Sequence, residues 1–194
     1  LAGEIAAGAI SEVIHGTTIA TNAILEHQGV KTGLITTHGF RDVLEIRRLR
    51  MPKLYDLTWQ KPKPLAARAD RAEVVGRIDH QGCVLTPLDE ASAVAAIEKL
   101  LDNGVEAIAV CLINGYVNGE HEQRIGELIA ARAPELPVCL SSEILPEIKE
   151  YERTSTAVVN AYILPVVARY LTALSASLEL MGVTAPLLVM QSSG

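Results

Sequence analysis

The chain has 194 residues and a formal net charge of −6, and 49% of its residues are hydrophobic against 21% that are charged. This apolar content excludes an intrinsically disordered chain, and only 14 glycines and 9 prolines exclude a collagen-like or low-complexity one. Acidic residues outnumber basic residues by 23 to 17, so no overall positive field would attract nucleic acid. The length predicts one large domain or two small ones.

The three cysteines, Cys83, Cys111 and Cys139, are odd in number and widely spaced. They form no C-x-x-C pair, so they predict neither a disulfide framework nor a zinc site, and reduced thiols in the cytoplasm are the default. No apolar run approaches the roughly 20 residues that a membrane helix needs, and no signal peptide is evident. The missing initial Met and the end immediately after an apolar run suggest cuts through a longer protein.

Short apolar strands alternate with amphipathic helices along the chain. Strands are predicted at residues 12–15, 32–37, 105–112, 136–140 and 187–190, and helices at residues 19–25, 89–102 and 120–132. Strands that alternate with helices are typical of βαβ units with right-handed crossovers. The sequence therefore predicts an α/β fold with a mixed, largely parallel sheet and flanking helices.

An irregular excursion interrupts this alternation over residues 47–71 and extends, with the segment that follows, to residue 88. Long loops in compact domains are usually functional or mobile. Its basic residues are interpreted as a solvated loop or a subunit contact; they are Arg47, Arg48, Arg50, Lys53, Lys61 and Lys63. Residues 73–79 and 83–86 flank His80-Gln81-Gly82, which predicts a β-hairpin.

The last helical pattern covers residues 150–181 and is interrupted by Pro165. Proline removes a helix hydrogen bond and crowds the preceding turn. We therefore expect either two consecutive helices or one kinked helix.

The first candidate site is the corner between the first strand and the first helix, at His15, Gly16, Thr17 and Thr18. Such a corner offers free N–H groups and the positive end of a helix dipole to an anion. Alternatively, Thr17 or Thr18 only caps the helix, and His15 is a hydrogen-bonded structural histidine. Asn22 lies one turn further on, where an asparagine is unfavourable and suggests a polar contact.

Two further pairs of charged residues are candidates for a ligand-binding site. Arg41 and Asp42 follow the second predicted strand, and ligands gather at the C-terminal edge of open α/β sheets. Glu150 and Arg153 are i, i+3 neighbours, so they form either a surface ion pair or the lip of a site. The stretch around Glu120-His121-Glu122 lacks a second ligand pair, so solvated helix capping is favoured over a metal site. The chain contains neither a P-loop nor a dinucleotide fingerprint.

Four blocks of the sequence resemble the ATP-dependent hydantoinase/oxoprolinase family. They are HGTTIATNAILEHQGVKTGLITTHGFRDVLEIRR, VEAIAVCLINGY with EHE shortly after it, LSSEILPEIKEYERTSTAVVNAYILPVVARYL, and LLVMQSSG. The family includes the A-type subunit of N-methylhydantoinase, 5-oxoprolinase and the related subunit of acetone carboxylase. The resemblance runs from residue 13 to residue 194.

The resemblance implies an actin-like ATPase fold built from two ribonuclease-H-like halves, with residues 1–194 as one domain that forms most of the first lobe. It implies ATP-driven opening of a cyclic amide (hydantoin, N-methylhydantoin or 5-oxoproline) by phosphorylation of the amide, with Mg²⁺ neutralising the phosphates. The residues expected to line the substrate or phosphate are His15, Gly16, Thr17, Thr18, Asn22, Arg41, Asp42, Glu150 and Arg153. The main ATP-binding motifs would lie outside this chain, so we expect it to bind ATP feebly alone and to be inactive.

Two alternatives remain open within this resemblance. One is an ATP-dependent carboxylase subunit of the acetone carboxylase type, which would phosphorylate bicarbonate or a ketone enolate. The other is a non-catalytic module that docks a B-type subunit, either separate or fused. We expect no nucleic-acid or membrane partner and a cytoplasmic location.

Overall fold

The computed structural model describes residue 8, residues 10–48, residue 56 and residues 58–190. The chain divides into two compact units, one formed by Leu1–Gly29 with Ile163–Gly194 and the other by Val30–Tyr162. Part of the predicted excursion, with Arg50, Pro52 and Lys53, lies outside the described residues, as does the final Gln191-Ser192-Ser193-Gly194.

Every strand and helix predicted from the alternating pattern is present, with bounds shifted by at most two residues. The strands are β1 (Val13–His15), β2 (Thr32–Thr37), β3 (Arg71–Val74), β4 (Arg77–Ile78), β5 (Val84–Thr86), β6 (Ala107–Cys111), β7 (Val138–Leu140) and β8 (Leu187–Val189). The helices are α1 (Ile19–Leu25), α2 (Val43–Ile46), α3 (Glu90–Asp102), α4 (Glu120–Arg132), α5 (Ser141–Ile144) and α6 (Glu150–Leu180).

The Val30–Tyr162 unit is built on a four-stranded sheet in the order β3-β2-β6-β7, in which all neighbouring strands are parallel. All residues of β2 and β6 are buried, as expected for a parallel sheet that is covered on both faces. The apolar residues of α3 and α4 join those of the sheet in one core, which includes Ile97, Leu100, Ile108, Ile125 and Ile129. The predicted α/β class with a largely parallel sheet is confirmed.

The predicted hairpin is confirmed only in its inner part. Arg77–Ile78 pairs antiparallel with Val84–Thr86, whereas Arg71–Val74, predicted in part as the start of the hairpin, runs parallel to β2 in the main sheet. The chain leaves the sheet at Gly76, where an added Cβ would lie 3.3 Å from His121 Nδ1. The pattern of residues 73–79 resembles one strand because each half has a buried apolar residue, Val74 and Ile78, although the two halves belong to different sheets.

The unit formed by residues 1–29 and 163–194 contains a two-stranded parallel sheet. Val13, Ile14 and His15 pair with Leu187, Leu188 and Val189. Beyond the strands, the Met190 N–H donates to the His15 carbonyl over 3.0 Å. The C-terminal ends of β1 and β8 therefore lie at the same edge.

Helix α6 is continuous from Glu150 to Leu180 and includes Pro165, so the expectation of two separate helices is wrong. Its buried residues all lie in the first half and include Arg153, Ala157, Val158 and Ala161. By length and composition the helix could cross a membrane, although no apolar run of that length was expected. A core helix meets the same criterion.

The carboxylate of Glu122 is buried, with 1% of the residue exposed, and it joins three segments of the Val30–Tyr162 unit. It accepts hydrogen bonds from Leu112 N (2.8 Å), Ser141 Oγ (2.7 Å) and Ser142 N (2.8 Å). Gly115 makes room for it, because a Cβ there would lie 2.5 Å from Glu122 Oε1. The predicted solvated role of Glu122 is wrong, although Asn118 Oδ1 does cap locally by accepting from Glu120 N.

We expect Glu122→Gln to lower the free energy of unfolding of the chain by about 1–3 kcal/mol, because the amide NH₂ would face a buried N–H or O–H donor. Chemical denaturation followed by circular dichroism measures this change. The matched control is Glu98→Gln on the exposed face of α3, where we expect a change of no more than about 0.5 kcal/mol. Equal stabilities of the two variants would contradict the role of the buried carboxylate.

The three cysteines are free and differ in exposure, since Cys83 is exposed whereas Cys111 and Cys139 are buried. Burial raises the pKa of the Cys111 and Cys139 thiols, so both stay protonated and unreactive at neutral pH. We expect a thiol reagent such as DTNB to label one cysteine in the folded chain and three after unfolding. A Cys83→Ser variant should then show no fast labelling, and fast labelling of that variant would show the burial to be wrong.

Candidate functional sites

His15 ends β1 and is held by Tyr170 of α6 in the same unit. The Tyr170 hydroxyl lies 2.7 Å from His15 Nε2, and the two ring centroids are 5.6 Å apart. The structure therefore shows the hydrogen-bonded histidine that the sequence left as one alternative. A tyrosine hydroxyl on Nε2 fixes the ring orientation and leaves Nδ1 as the other hydrogen-bonding atom. Tyr170 was missed because no periodicity relates residues 155 positions apart.

Of the polar residues that follow His15, one caps helix α1 and two have polar groups that do not bond to the helix. Thr17 Oγ1 accepts from Ile19 N over 3.2 Å, which confirms the capping alternative for Thr17. Thr18 occupies the N-cap position of α1 without a side-chain hydrogen bond to the helix, and Asn22 is exposed. At Gly16 a Cβ would have ordinary space, 4.0 Å from Met190 Sδ. The corner thus presents the Thr18 hydroxyl and the Asn22 amide to solvent.

Two other predicted residues, Asp42 and Glu150, line one cleft of about 600 Å³ in the Val30–Tyr162 unit. The cleft is formed by residues that follow β2, residues that follow β6, one residue of the hairpin and the start of α6. They include Phe40, Asp42, Arg77, Asn114, Glu150 and Tyr151. We call it the strand-end cleft. Its volume is in the range of small-molecule sites.

The sheet topology explains why the cleft lies there. The chain leaves β2 toward β3 on one side of the sheet and leaves β6 toward β7 on the other side. Right-handed crossovers then carry the two connections to opposite faces, which leaves a crevice between the C-terminal ends of β2 and β6. Open α/β sheets bind ligands at this switch point. The backbone turns there through left-handed residues, Gly39 (φ 86°) and Asn114 (φ 60°).

Asp42 is ionised and paired on the wall of the strand-end cleft. Arg68 donates to both of its oxygens, from Nε over 2.9 Å and from Nη2 over 3.0 Å. This hydrogen bonding, together with the positive charges of Arg68, Arg41 and Arg71, holds the pKa of Asp42 below its usual value. Asp42 therefore stays a carboxylate at neutral pH and its charge is compensated.

Helix α2, which forms this wall, is only four residues long and is fastened by arginines. Arg71 is fully buried on β3 and donates to the Ala66 carbonyl and to Glu45 Oε1 over 3.0 Å. From the predicted excursion, Arg47 donates to the Pro62 carbonyl and Lys61 to the Glu45 carbonyl. The basic residues of the excursion thus partly hold α2 in place and are not all solvated.

Arg153 is placed differently from both sequence alternatives. It is fully buried, donates to the carbonyls of Glu147 (2.8 Å) and Leu112 (2.7 Å), and lies 5.3 Å from the centre of the Tyr116 ring. The expected surface ion pair with Glu150 is therefore wrong, because the guanidinium binds backbone oxygens in the interior. Arg153 does not line the strand-end cleft but fixes the loop after β6, which does.

Arg41 is not among the residues that line the strand-end cleft, and its Nε is buried. Within residues 10–48 and 58–190, this Nε has no hydrogen-bond partner. Over the same residues, no group of three or more His, Cys, Asp or Glu side chains could hold a metal ion.

Burial lowers the pKa of His121, so this histidine is neutral at pH 7 beside the buried Glu122.

The sequence matches two family profiles along most of its length. Residues 2–133 match the hydantoinase/oxoprolinase N-terminal region, and residues 153–194 match the hydantoinase/oxoprolinase profile that follows it. The first match alone covers about two thirds of the chain.

Curated relatives and a solved structure agree with these matches. The chain is 41% identical over 183 residues to caprolactamase subunit alpha of Pseudomonas jessenii (93% of this chain, 26% of the relative). It is 36% identical over 167 residues to the acetophenone carboxylase gamma subunit of Aromatoleum aromaticum (79% and 23%). The crystal structure of the ATP-dependent caprolactamase from Pseudomonas jessenii matches with a TM-score of 0.90 and 40% identity (97% and 28%).

The chain thus spans about a quarter of the length of these relatives. The order of its blocks, the two profile matches and the shared fold all lead to the same assignment. The chain belongs to the hydantoinase/oxoprolinase family, whose N-terminal region it contains.

Proposed function

We propose that this chain is part of an ATP-dependent hydrolase that opens cyclic amides such as hydantoin, N-methylhydantoin or 5-oxoproline. The observation that carries the proposal is the likeness to caprolactamase, at 41% identity in sequence and a TM-score of 0.90 in structure. In such a reaction ATP phosphorylates the amide oxygen, which makes the amide carbon a better electrophile for water. Water then adds to this carbon, the ring C–N bond breaks as the nitrogen takes up a proton, and a second water cleaves the resulting acyl phosphate into carboxylate and phosphate.

Within this proposal, His15 and Thr18 face the phosphate or the substrate at the edge formed by β1 and β8. The Thr18 hydroxyl and the Asn22 amide supply donors at the start of α1, and Tyr170 orients His15 through the 2.7 Å contact. Among the described residues, no group of three or more His, Cys, Asp or Glu side chains could hold a metal ion. We expect ATP and Mg²⁺ to be held mainly by other parts of the enzyme, as the family resemblance implies.

A second candidate function is that of a subunit of an ATP-dependent carboxylase. It is supported by the 36% identity to the acetophenone carboxylase gamma subunit. The higher identity to caprolactamase subunit alpha favours the cyclic amide. Because both relatives are named as subunits, we propose a B-type partner, separate or fused, and the module without catalytic activity stays the third alternative.

The proposal includes the place of the chain in the enzyme. Residues 1–194 would form most of the first lobe of an actin-like ATPase, in the cytoplasm, where its three free thiols would stay reduced. Helix α6 would serve as a core helix and not as a membrane span, because its first half buries the charged Arg153 against backbone carbonyls of the protein.

We expect His15→Asn in the complete enzyme to lower lactam-stimulated ATP hydrolysis at least tenfold, because it removes the oriented imidazole from the site. The matched control is His27→Asn, since His27 is exposed and has a left-handed backbone (φ 55°) that asparagine tolerates. The control should keep the activity of the wild type. Release of ADP in the presence of 5-oxoproline, a hydantoin or ε-caprolactam is the measurement.

Two results would contradict the proposal. If the His15→Asn variant hydrolyses ATP as fast as the wild type, His15 is not part of the site. Stimulation of the wild type by acetone or acetophenone, and not by any cyclic amide, would favour the carboxylase.

A further inference from the structure

We propose that the strand-end cleft binds a small ligand that places an oxygen acceptor at Arg77 and an N–H donor at Glu150. This inference rests on the proposed function, because a cyclic amide carries a carbonyl and an N–H, and the amino acid formed when a lactam such as 5-oxoproline opens carries a carboxylate and an ammonium. The cleft would therefore select for the amide or amino-acid group of the substrate or product.

Arg77 supplies the first contact. Its guanidinium carbon lies 5.3 Å from the centre of the Phe40 ring, so the cation is stacked on one wall of the cleft. Among the residues that the structure describes, no carboxylate pairs with Arg77 and no acceptor takes a hydrogen bond from its side chain. A half-buried, oriented and uncompensated guanidinium is suited to a carbonyl or carboxylate oxygen.

Glu150 supplies the second contact. It lies at the start of α6 and lines the same cleft, and within the described part of the chain its carboxylate takes no hydrogen bond and forms no ion pair. Asp42 is different, because Arg68 compensates its charge. Among the described residues, the cleft thus holds one guanidinium and one carboxylate, those of Arg77 and Glu150, that have neither a hydrogen-bond nor an ion-pair partner.

The rest of the wall restricts the ligand further. Val43, Ile46 and Ile113 provide an aliphatic surface between the polar groups. The other charged groups of the wall are already engaged, because Asp42 is paired with Arg68 and Arg47 donates to the Pro62 carbonyl. A neutral lactam or a zwitterionic amino acid with an aliphatic body meets complementary groups throughout.

The test is isothermal titration calorimetry of the complete protein without nucleotide, with ε-caprolactam and 6-aminohexanoate as separate probes. Arg77→Met should weaken binding of whichever probe the wild type binds at least tenfold, the usual effect of losing a charge-assisted hydrogen bond. Glu150→Gln should weaken 6-aminohexanoate by a similar factor and the lactam less, because only the former carries an ammonium. The exposed Arg169→Met and Glu98→Gln are the matched controls and should bind as the wild type does.

If only the lactam binds, the cleft is a substrate site, and if only the amino acid binds, it is a product site. If both bind, the cleft recognises the oxygen acceptor and the N–H donor that the two probes have in common. The inference is overturned if the wild type binds neither probe, or if both cleft variants bind like the controls. Glu150→Gln, which changes one terminal atom of a half-buried side chain, tests the inference even if Arg77→Met fails to fold.

The proposed function is tested separately from ligand binding, by measuring ATP hydrolysis. If a cyclic amide does not stimulate ADP release but Arg77→Met still loses probe binding, the cleft is a ligand site of an enzyme with another reaction. If stimulation is seen and Arg77→Met and Glu150→Gln leave both binding and stimulation unchanged, the enzyme is a cyclic amide hydrolase and its substrate binds elsewhere.

Discussion

Leu112, the residue after β6, is held on both sides of its backbone by buried charges. Its N–H donates to Glu122 over 2.8 Å, and its carbonyl accepts from Arg153 over 2.7 Å. Burying two charges costs free energy that only well-formed hydrogen bonds offset, so such an arrangement is poor evidence of stability and better evidence of positioning. Here it fixes the point at which the central strand of the sheet passes into the loop with Ile113 and Asn114.

The other side of the strand-end cleft follows the same principle. Helix α2 is too short to be stable alone, and Arg68 and Arg71 hold it through Asp42 and Glu45. Both walls are therefore fixed by arginines bound to carboxylates or carbonyls. Between them, the Arg77 guanidinium and the Glu150 carboxylate have neither a hydrogen-bond nor an ion-pair partner among the described residues, and this contrast is the basis for proposing that the cleft is a binding site.

Much of the fold could be predicted because its strands and helices have regular apolar periods and clear ends. Asp89 caps α3, accepting from Ala91 N, and β2, with Leu34 and Ile35 at its centre, is buried throughout. The site could be predicted only in part. Asp42 was predicted at a strand end and Glu150 as one alternative at the lip of a site, and both line one cleft. Arg153 and Glu122, by contrast, look like surface charges on helices until tertiary packing buries them. The hydrogen bond between His15 and Tyr170 could not be predicted either, because it joins segments that are far apart in the sequence.

The most direct test of this account is a crystal structure of the complete protein soaked with ε-caprolactam or 6-aminohexanoate. The account predicts density for the ligand in the strand-end cleft, with an oxygen within hydrogen-bond distance of the Arg77 guanidinium and a nitrogen at the Glu150 carboxylate. Density for the ligand at another place, with the strand-end cleft free of it, would contradict the account.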